Sequence, residues 1–129
     1  MIGSIVSISL GAALGALLRW TLALKFNPMF PALPLGTLAA NLAGGYLVGV
    51  AIAFFATSPQ LPPHIRLFVI TGFLGGLTTF STFSAEVVTQ LQNGETASAL
   101  AIAFAHMLGS FAATALGIAT VSLLRQPGA

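Results

Sequence analysis

Four apolar runs, nearly free of charge, limit what this chain can fold into. They cover residues 4–24, 37–56, 65–91 and 96–124. A helix of about 20 apolar residues is long enough to cross the hydrocarbon core of a bilayer. The segments between the runs are full of helix stops. Asn27-Pro28, Pro31 and Pro34 interrupt residues 25–36, three prolines fall in residues 58–64, and Asn93-Gly94 follows the third run. With 57% hydrophobic and 5% charged residues, the chain reads as an all-α membrane protein, a single transmembrane domain over residues 1–129 with four spans. The first run has no basic n-region and no small-residue cleavage site, so it is expected to stay as a span. A formal charge of +2 without a basic cluster argues against a nucleic-acid surface. Cysteine is absent, which rules out disulfides, thiolate metal sites and a Cys nucleophile.

Within the third run, residues 72–84 (GFLGGLTTFSTFS) stand apart. Three glycines fall within five residues, and glycine is about 1 kcal/mol worse than alanine in a helix interior. Five Ser or Thr residues then crowd into seven positions, interleaved with Phe80 and Phe83. Non-helical backbone at membrane depth survives only where protein or a water-filled cavity covers it. The stretch therefore reads as a third helix broken near its middle, either a packed kink or the wall of a polar path. Phe80 and Phe83 lie three residues apart and share a face, with Ser81 and Ser84 as a second such pair beside them. A ring edge is electropositive, so phenylalanines presented edge-on beside hydroxyls suit a small anion. Broken backbone at residues 75–79 would free carbonyl oxygens, which coordinate cations. Glu86 follows one turn later, where Thr82 could hold it; an intramembrane carboxylate is a site hypothesis in its own right.

The other spans carry stripes of small residues. Gly3, Ser7, Gly11, Gly15 and Arg19 recur every four residues in the first, and Asn41, Gly45, Gly49 and Ala53 in the second. Such stripes let helix backbones approach closely. Arg19 and its neighbour Trp20 read either as interfacial anchors or as structural or vestibule residues. Asn41 reads either as an interhelical hydrogen-bonding group or as a donor to a passing anion. In the fourth span His106, Ser110 and Thr114 share one face as a polar track, because each needs a partner in hydrocarbon.

No HExxH, CxxC, P-loop or Rossmann pattern is present, and Glu95 lies in a turn away from Glu86, so the chain is not expected to be an enzyme. Neutral donors can instead replace part of an ion's hydration shell without trapping it. Two basic residues fall toward each side of the membrane, Arg19 and Lys25 against Arg66 and Arg125. The positive-inside rule then sets no orientation. Two antiparallel copies could supply the inverted symmetry that transporters with internal repeats use.

The order Gly11-x-x-x-Gly15-x-x-x-Arg19, then Gly36-Thr37-x-x-x-Asn41-x-x-Gly44, then residues 72–84 followed by Glu86 resembles the Fluc (CrcB) family of fluoride channels over essentially the whole chain. The resemblance implies an antiparallel, dual-topology homodimer with two fluoride pores, giving passive export of cytoplasmic fluoride across a microbial plasma membrane, in bacteria the inner membrane. It implies that Phe80, Phe83 and Asn41 line the pores, with Ser81, Ser84, Ser110 and Thr114 in or near the polar track. It implies a structural sodium ion at the dimer interface, held by the backbone carbonyls of Gly75 and Thr78, and no organic cofactor. Arg19, Glu86 and His106 are left as vestibule or structural residues. Fluoride and sodium come from the resemblance alone. The alternative is a small four-span, proton-coupled exporter of cationic compounds, which needs a carboxylate deep in a span; the first span has none, and Glu86 lies late in the third. A packing subunit without transport is a third reading.

Overall fold

A computed structural model describes residues 1–126 of the chain. Four helical stretches long and apolar enough to span a membrane account for nearly all of it, and the described residues contain no strand. Helix α1 (Ile2–Phe26) runs into a 3₁₀ turn at Asn27–Met29, where Pro28 sits in the first turn. Helix α2 (Leu35–Ala56) follows. The third stretch begins with α3 (Pro63–Arg66) and widens into π-helix over Leu67–Leu74. It returns to one α-helical turn in α4 (Gly75–Leu77) and, after residues 78–80, resumes as α5 (Ser81–Gln92). Helix α6 (Thr96–Leu124) completes the set.

Each junction has a local cause. The first turn of α2 is capped from a distance: the Thr37 N–H donates to Asn27 Oδ1 at 3.0 Å, satisfying one of the amides that a helix start leaves unpaired. Gly94 follows the end of α5 with φ +76, a left-handed conformation that glycine adopts without steric cost. Thr78 turns extended (φ −84, ψ 153) and ends α4.

Lipid supplies no hydrophobic force between helices, so packing must come from close contact. The glycine stripes supply it. A Cβ at Gly11 or Gly15 would strike the backbone of Phe68 and Phe73, while one at Gly72 or Gly76 would strike Ile8 and Ala12 of α1. Helix α1 and the third stretch are thus fitted backbone to backbone. Helices α2 and α6 are knit in the same way, Gly49 lying against Thr114 and Gly117 against Tyr46 and Val50. Around these seams Ala40, Leu74 and Leu77 form a small core. Leucines such as Leu10, Leu14, Leu17 and Leu116 stay exposed, as expected of surfaces that meet acyl chains.

Candidate anion path

The seam between α2, the third stretch and α6 opens into a groove of about 500 Å³. The residues that shape it come from three places. Asn41, Gly44 and Gly45 come from α2, Gly75 and Thr78–Phe80 from the third stretch, and His106 and Ser110 from α6. Phe83 closes the groove from the first turn of α5.

Asn41 holds the groove together. Its Oδ1 accepts the Thr79 N–H at 2.8 Å, and its Nδ2 donates to the Thr79 carbonyl at 2.9 Å. The amide thereby pairs with both polar groups of one residue in the non-helical backbone. Nδ2 also lies 2.9 Å from His106 Nδ1. Both amide hydrogens have acceptors within the single chain, so Asn41 links α2 to the third stretch and to α6.

The neighbouring backbone is pinned just as fully. Arg19 Nε donates to Gly76 O at 3.0 Å, a link between α1 and α4, whereas Trp20 beside it is exposed. The Thr78 hydroxyl donates to Leu74 O at 2.8 Å, and the Thr79 hydroxyl accepts the Thr82 N–H at 3.1 Å, closing the first turn of α5. These hydroxyls pair backbone groups at the ends of α4 and α5, as cap residues do at an ordinary helix end.

The two phenylalanines differ. Phe83 is 7% exposed and stacks on His106, with ring centroids 4.6 Å apart and planes 22° apart. Phe80 is 75% exposed and meets Phe83 in a T-shaped arrangement at 5.6 Å. His106, Ser110 and Thr114 do follow one line along α6, and the groove takes in the first two. Thr114 lies beyond it, its hydroxyl donating to Gly45 O at 3.0 Å and locking α6 to α2. Ser81, with its hydroxyl 3.4 Å from that of Thr79, and Ser84 do not line the groove in the single chain.

Glu86 is half-buried on α5 behind the groove. Its Oε2 accepts from the Thr37 hydroxyl at 2.6 Å, and Oε1 is buried without a partner. The hydroxyl that holds it therefore comes from α2 and not from Thr82, because α5 turns this carboxylate toward the start of α2. Thr37, 1% exposed, also receives Asn27 Nδ2 at 3.2 Å. Sequence reasoning passed over Thr37 and Asn27. Their only signals were a hydroxyl in the Gly36-Thr37 motif and an asparagine at a turn, and neither names a partner 49 residues away. Among the described residues no cluster of three His, Cys, Asp or Glu side chains forms.

Residues 6–118 match the family described as CrcB-like protein, Camphor Resistance (CrcB). The Fluoride-specific ion channel FluC of Tolumonas auensis is 59% identical over 126 residues, covering 98% of this chain and 99% of the relative. The protein of the same name from Burkholderia cenocepacia is 63% identical over 120 residues, covering 93% and 94%. That from Nitrosospira multiformis is 59% identical over 123 residues, covering 95% and 96%. Such similarity over almost the whole length, on a fold of four membrane-spanning stretches, shows that the chain is a multi-pass membrane protein and belongs to the CrcB family.

Proposed function

We propose that this chain is a fluoride-selective ion channel that exports cytoplasmic fluoride passively across a bacterial inner membrane. The observation that carries this is near-end-to-end identity of 58–63% with proteins named as fluoride-specific ion channels. The geometry supports it. A groove between membrane-spanning helices presents neutral donors and phenylalanine rings, which can stand in for part of an anion's hydration shell without fixing a counter-charge beside it. Hydrogen fluoride crosses bilayers as a neutral acid and dissociates in a neutral cytoplasm. The trapped anion then leaves down the membrane potential, with no energy source beyond the potential itself.

The working unit in this proposal is an antiparallel homodimer in which each copy contributes a groove, giving two pores. Phe80, which lines the groove and is exposed in the single chain, would be covered by the second copy. Asn41, Phe80, Phe83, Ser81, Ser84, Ser110 and Thr114 are the proposed pore and track residues. Ser81, Ser84 and Thr114 would come into play only along the assembled path. The interruption at residues 78–80 is proposed to divide the third span in two.

A structural sodium ion fits the same backbone. In a continuous helix the Gly75 carbonyl would accept the Thr79 N–H and the Thr78 carbonyl the Thr82 N–H. Asn41 Oδ1 takes the first of these donors and the Thr79 hydroxyl takes the second. Two carbonyls that line the groove are thus released from their helical partners, and carbonyl oxygens are ligands suited to a hard cation. Gly75 and Thr78 would hold the ion by their backbone oxygens, neutralising part of their dipoles and tying two copies together. Exchange of sodium for a bulky organic cation is expected to loosen the dimer, read by cross-linking of purified protein. A dimer equally stable without any bound alkali ion would remove the assignment.

The function itself is tested by reconstituting the protein in liposomes and following fluoride and chloride efflux with ion-selective electrodes. Rapid fluoride loss with negligible chloride loss is expected. Comparable loss of both ions would overturn the selectivity, and loss of neither from a folded preparation would overturn the channel.

A further inference from the structure

A second groove, of about 440 Å³, opens between α2 and the beginning of the third stretch. Leu47, Val50 and Phe54 line it from α2, and Ile65, Val69 and Phe73 from the third stretch. Every residue that shapes it is apolar, unlike the groove that holds Asn41. In a bilayer such a wall meets acyl chains. The acyl chain alone gives no selectivity, because surrounding lipid is as apolar as the groove. Any preference among lipids has to come from the charges at the mouth.

Two cations stand there. Phe54 and Phe55, in the last turn of α2, form a T-shaped pair with centroids 5.6 Å apart. Arg66 Cζ lies 5.5 Å from the Phe55 centroid, and Arg125 Cζ lies 5.0 Å from that of Phe54. A cation is attracted to a ring face, so the aromatic pair keeps both guanidinium groups beside the groove. Both arginines are nevertheless exposed. Arg66 gives one of its five N–H donors to Phe55 O, through Nη2 at 3.5 Å. No acidic side chain of this protein answers them. The chain has two, Glu86 and Glu95. Glu86 is bonded to Thr37 at the start of α2, and Glu95 precedes α6, so both belong to the opposite end of the bundle, with Lys25. In sum Arg19 and Lys25 offset Glu86 and Glu95, and the formal charge of +2 is that of Arg66 and Arg125.

We propose that this groove and its two arginines bind one anionic phospholipid, its acyl chain lying between α2 and the third stretch and its phosphate held by Arg66 and Arg125. The guanidinium fork matches phosphate oxygens, and basic pockets between membrane helices select acidic headgroups. Arginines that only snorkel to the interface would accept any headgroup. Here both are gathered on one aromatic pair, at one groove, without a counter-charge of their own. The site rests on the fold and the charge distribution and is independent of the anion path.

The test uses the whole protein in vesicles, with a fluorescent reporter in the groove. Trp20 is the single tryptophan, so Trp20→Phe combined with Phe54→Trp leaves one emitter beside the arginines. Leu47→Trp, two turns deeper on α2, serves as the reporter if the first variant does not fold. Lipids brominated in the acyl chain quench tryptophan on contact. Brominated phosphatidylglycerol should quench the reporter with a relative affinity on the order of 10-fold above brominated phosphatidylcholine. A basic side chain near an anionic lipid surface is worth about fivefold in binding, so Arg66→Gln and Arg125→Gln should each lower the preference by about that factor. Together they should abolish it. Lys25→Gln, a charge change at the other end of the bundle, should leave it intact. Equal quenching by the two lipids would overturn the proposal and reduce the arginines to interfacial anchors. Quenching by neither would also overturn it, showing that a second copy of the chain covers the groove. A preference that Lys25→Gln lowers as much as Arg66→Gln does would reduce it to general surface charge.

Discussion

Gly49→Leu yields no folded channel: the expected result is aggregated or degraded protein where the wild type elutes as a single species from a sizing column. The reason is the neighbour a side chain would meet. A Cβ at Gly49 would run into the carbonyl oxygen and carbon of Thr114 and the amide of Ile118, all backbone atoms. Backbone cannot rotate away as a side-chain tip can, so α2 and α6 would have to separate. Gly117 faces Tyr46 and Val50 one turn along the same seam, so separation at one glycine spoils the fit at the other. Leucine is a good helix former, better than glycine by about 1 kcal/mol, so local propensity cannot explain a loss. Overpacking of a fitted core costs about 1–3 kcal/mol even where some relaxation occurs. Gly109→Ala is the control. The nearest atom its new methyl would meet is Leu42 Cδ2, the end of a flexible side chain, and the variant should fold. A folded, conducting Gly49→Leu would show that the α2–α6 seam is not closed in the working protein.

That seam also shows what the sequence can and cannot say. The four-residue spacing of Gly11, Gly15, Gly45 and Gly49 marked faces for close packing, and all four lie at helix contacts. The spacing could not name the element on the other side, because periodicity describes one helix at a time. The polar groups show the same limit more sharply. Thr82 lies one helical turn before Glu86, where spacing offers it as a partner, yet Thr37 holds the carboxylate, since the approach of α5 to the start of α2 is a property of the whole bundle. Gly75 and Gly76 read as the place where helix fails. Both lie in the turn of α4, Gly76 against Ala12 of α1, and Thr78 after them is extended. Close approach requires a glycine only at Gly76, while Asn41, the Thr79 hydroxyl and Arg19 supply hydrogen bonds to the backbone around it. Sequence spacing left Asn41 with two readings because its partners are 38 and 65 residues away.

Asn41→Ala should be the most damaging single change in the groove that still gives protein to measure. It strips three partners at once: the N–H of Thr79, the carbonyl of Thr79, and Nδ1 of His106. A buried polar group left unpaired costs about 1–3 kcal/mol, and three in one network do not simply add. Water entering the groove would satisfy part of the deficit, so a loss of about 3 kcal/mol is the expected scale. That is large against the marginal stability of a folded chain, and it falls on the segment that shapes the path. Fluoride efflux should drop with it, because residues 78–80 lose their anchor and His106 its orientation. Asn41→Asp separates the two causes. It keeps size and shape and can still accept the Thr79 N–H, but it turns the donor that faced the Thr79 carbonyl and His106 Nδ1 into an oxygen. An ionised carboxylate would also repel the anion. Efflux should therefore fall at least as far in Asn41→Asp as in Asn41→Ala, measured with the same electrodes on liposomes matched for protein. Wild-type efflux from Asn41→Asp would mean that neither donated hydrogen matters to conduction. The path would then have to be sought away from the contact between α2 and His106.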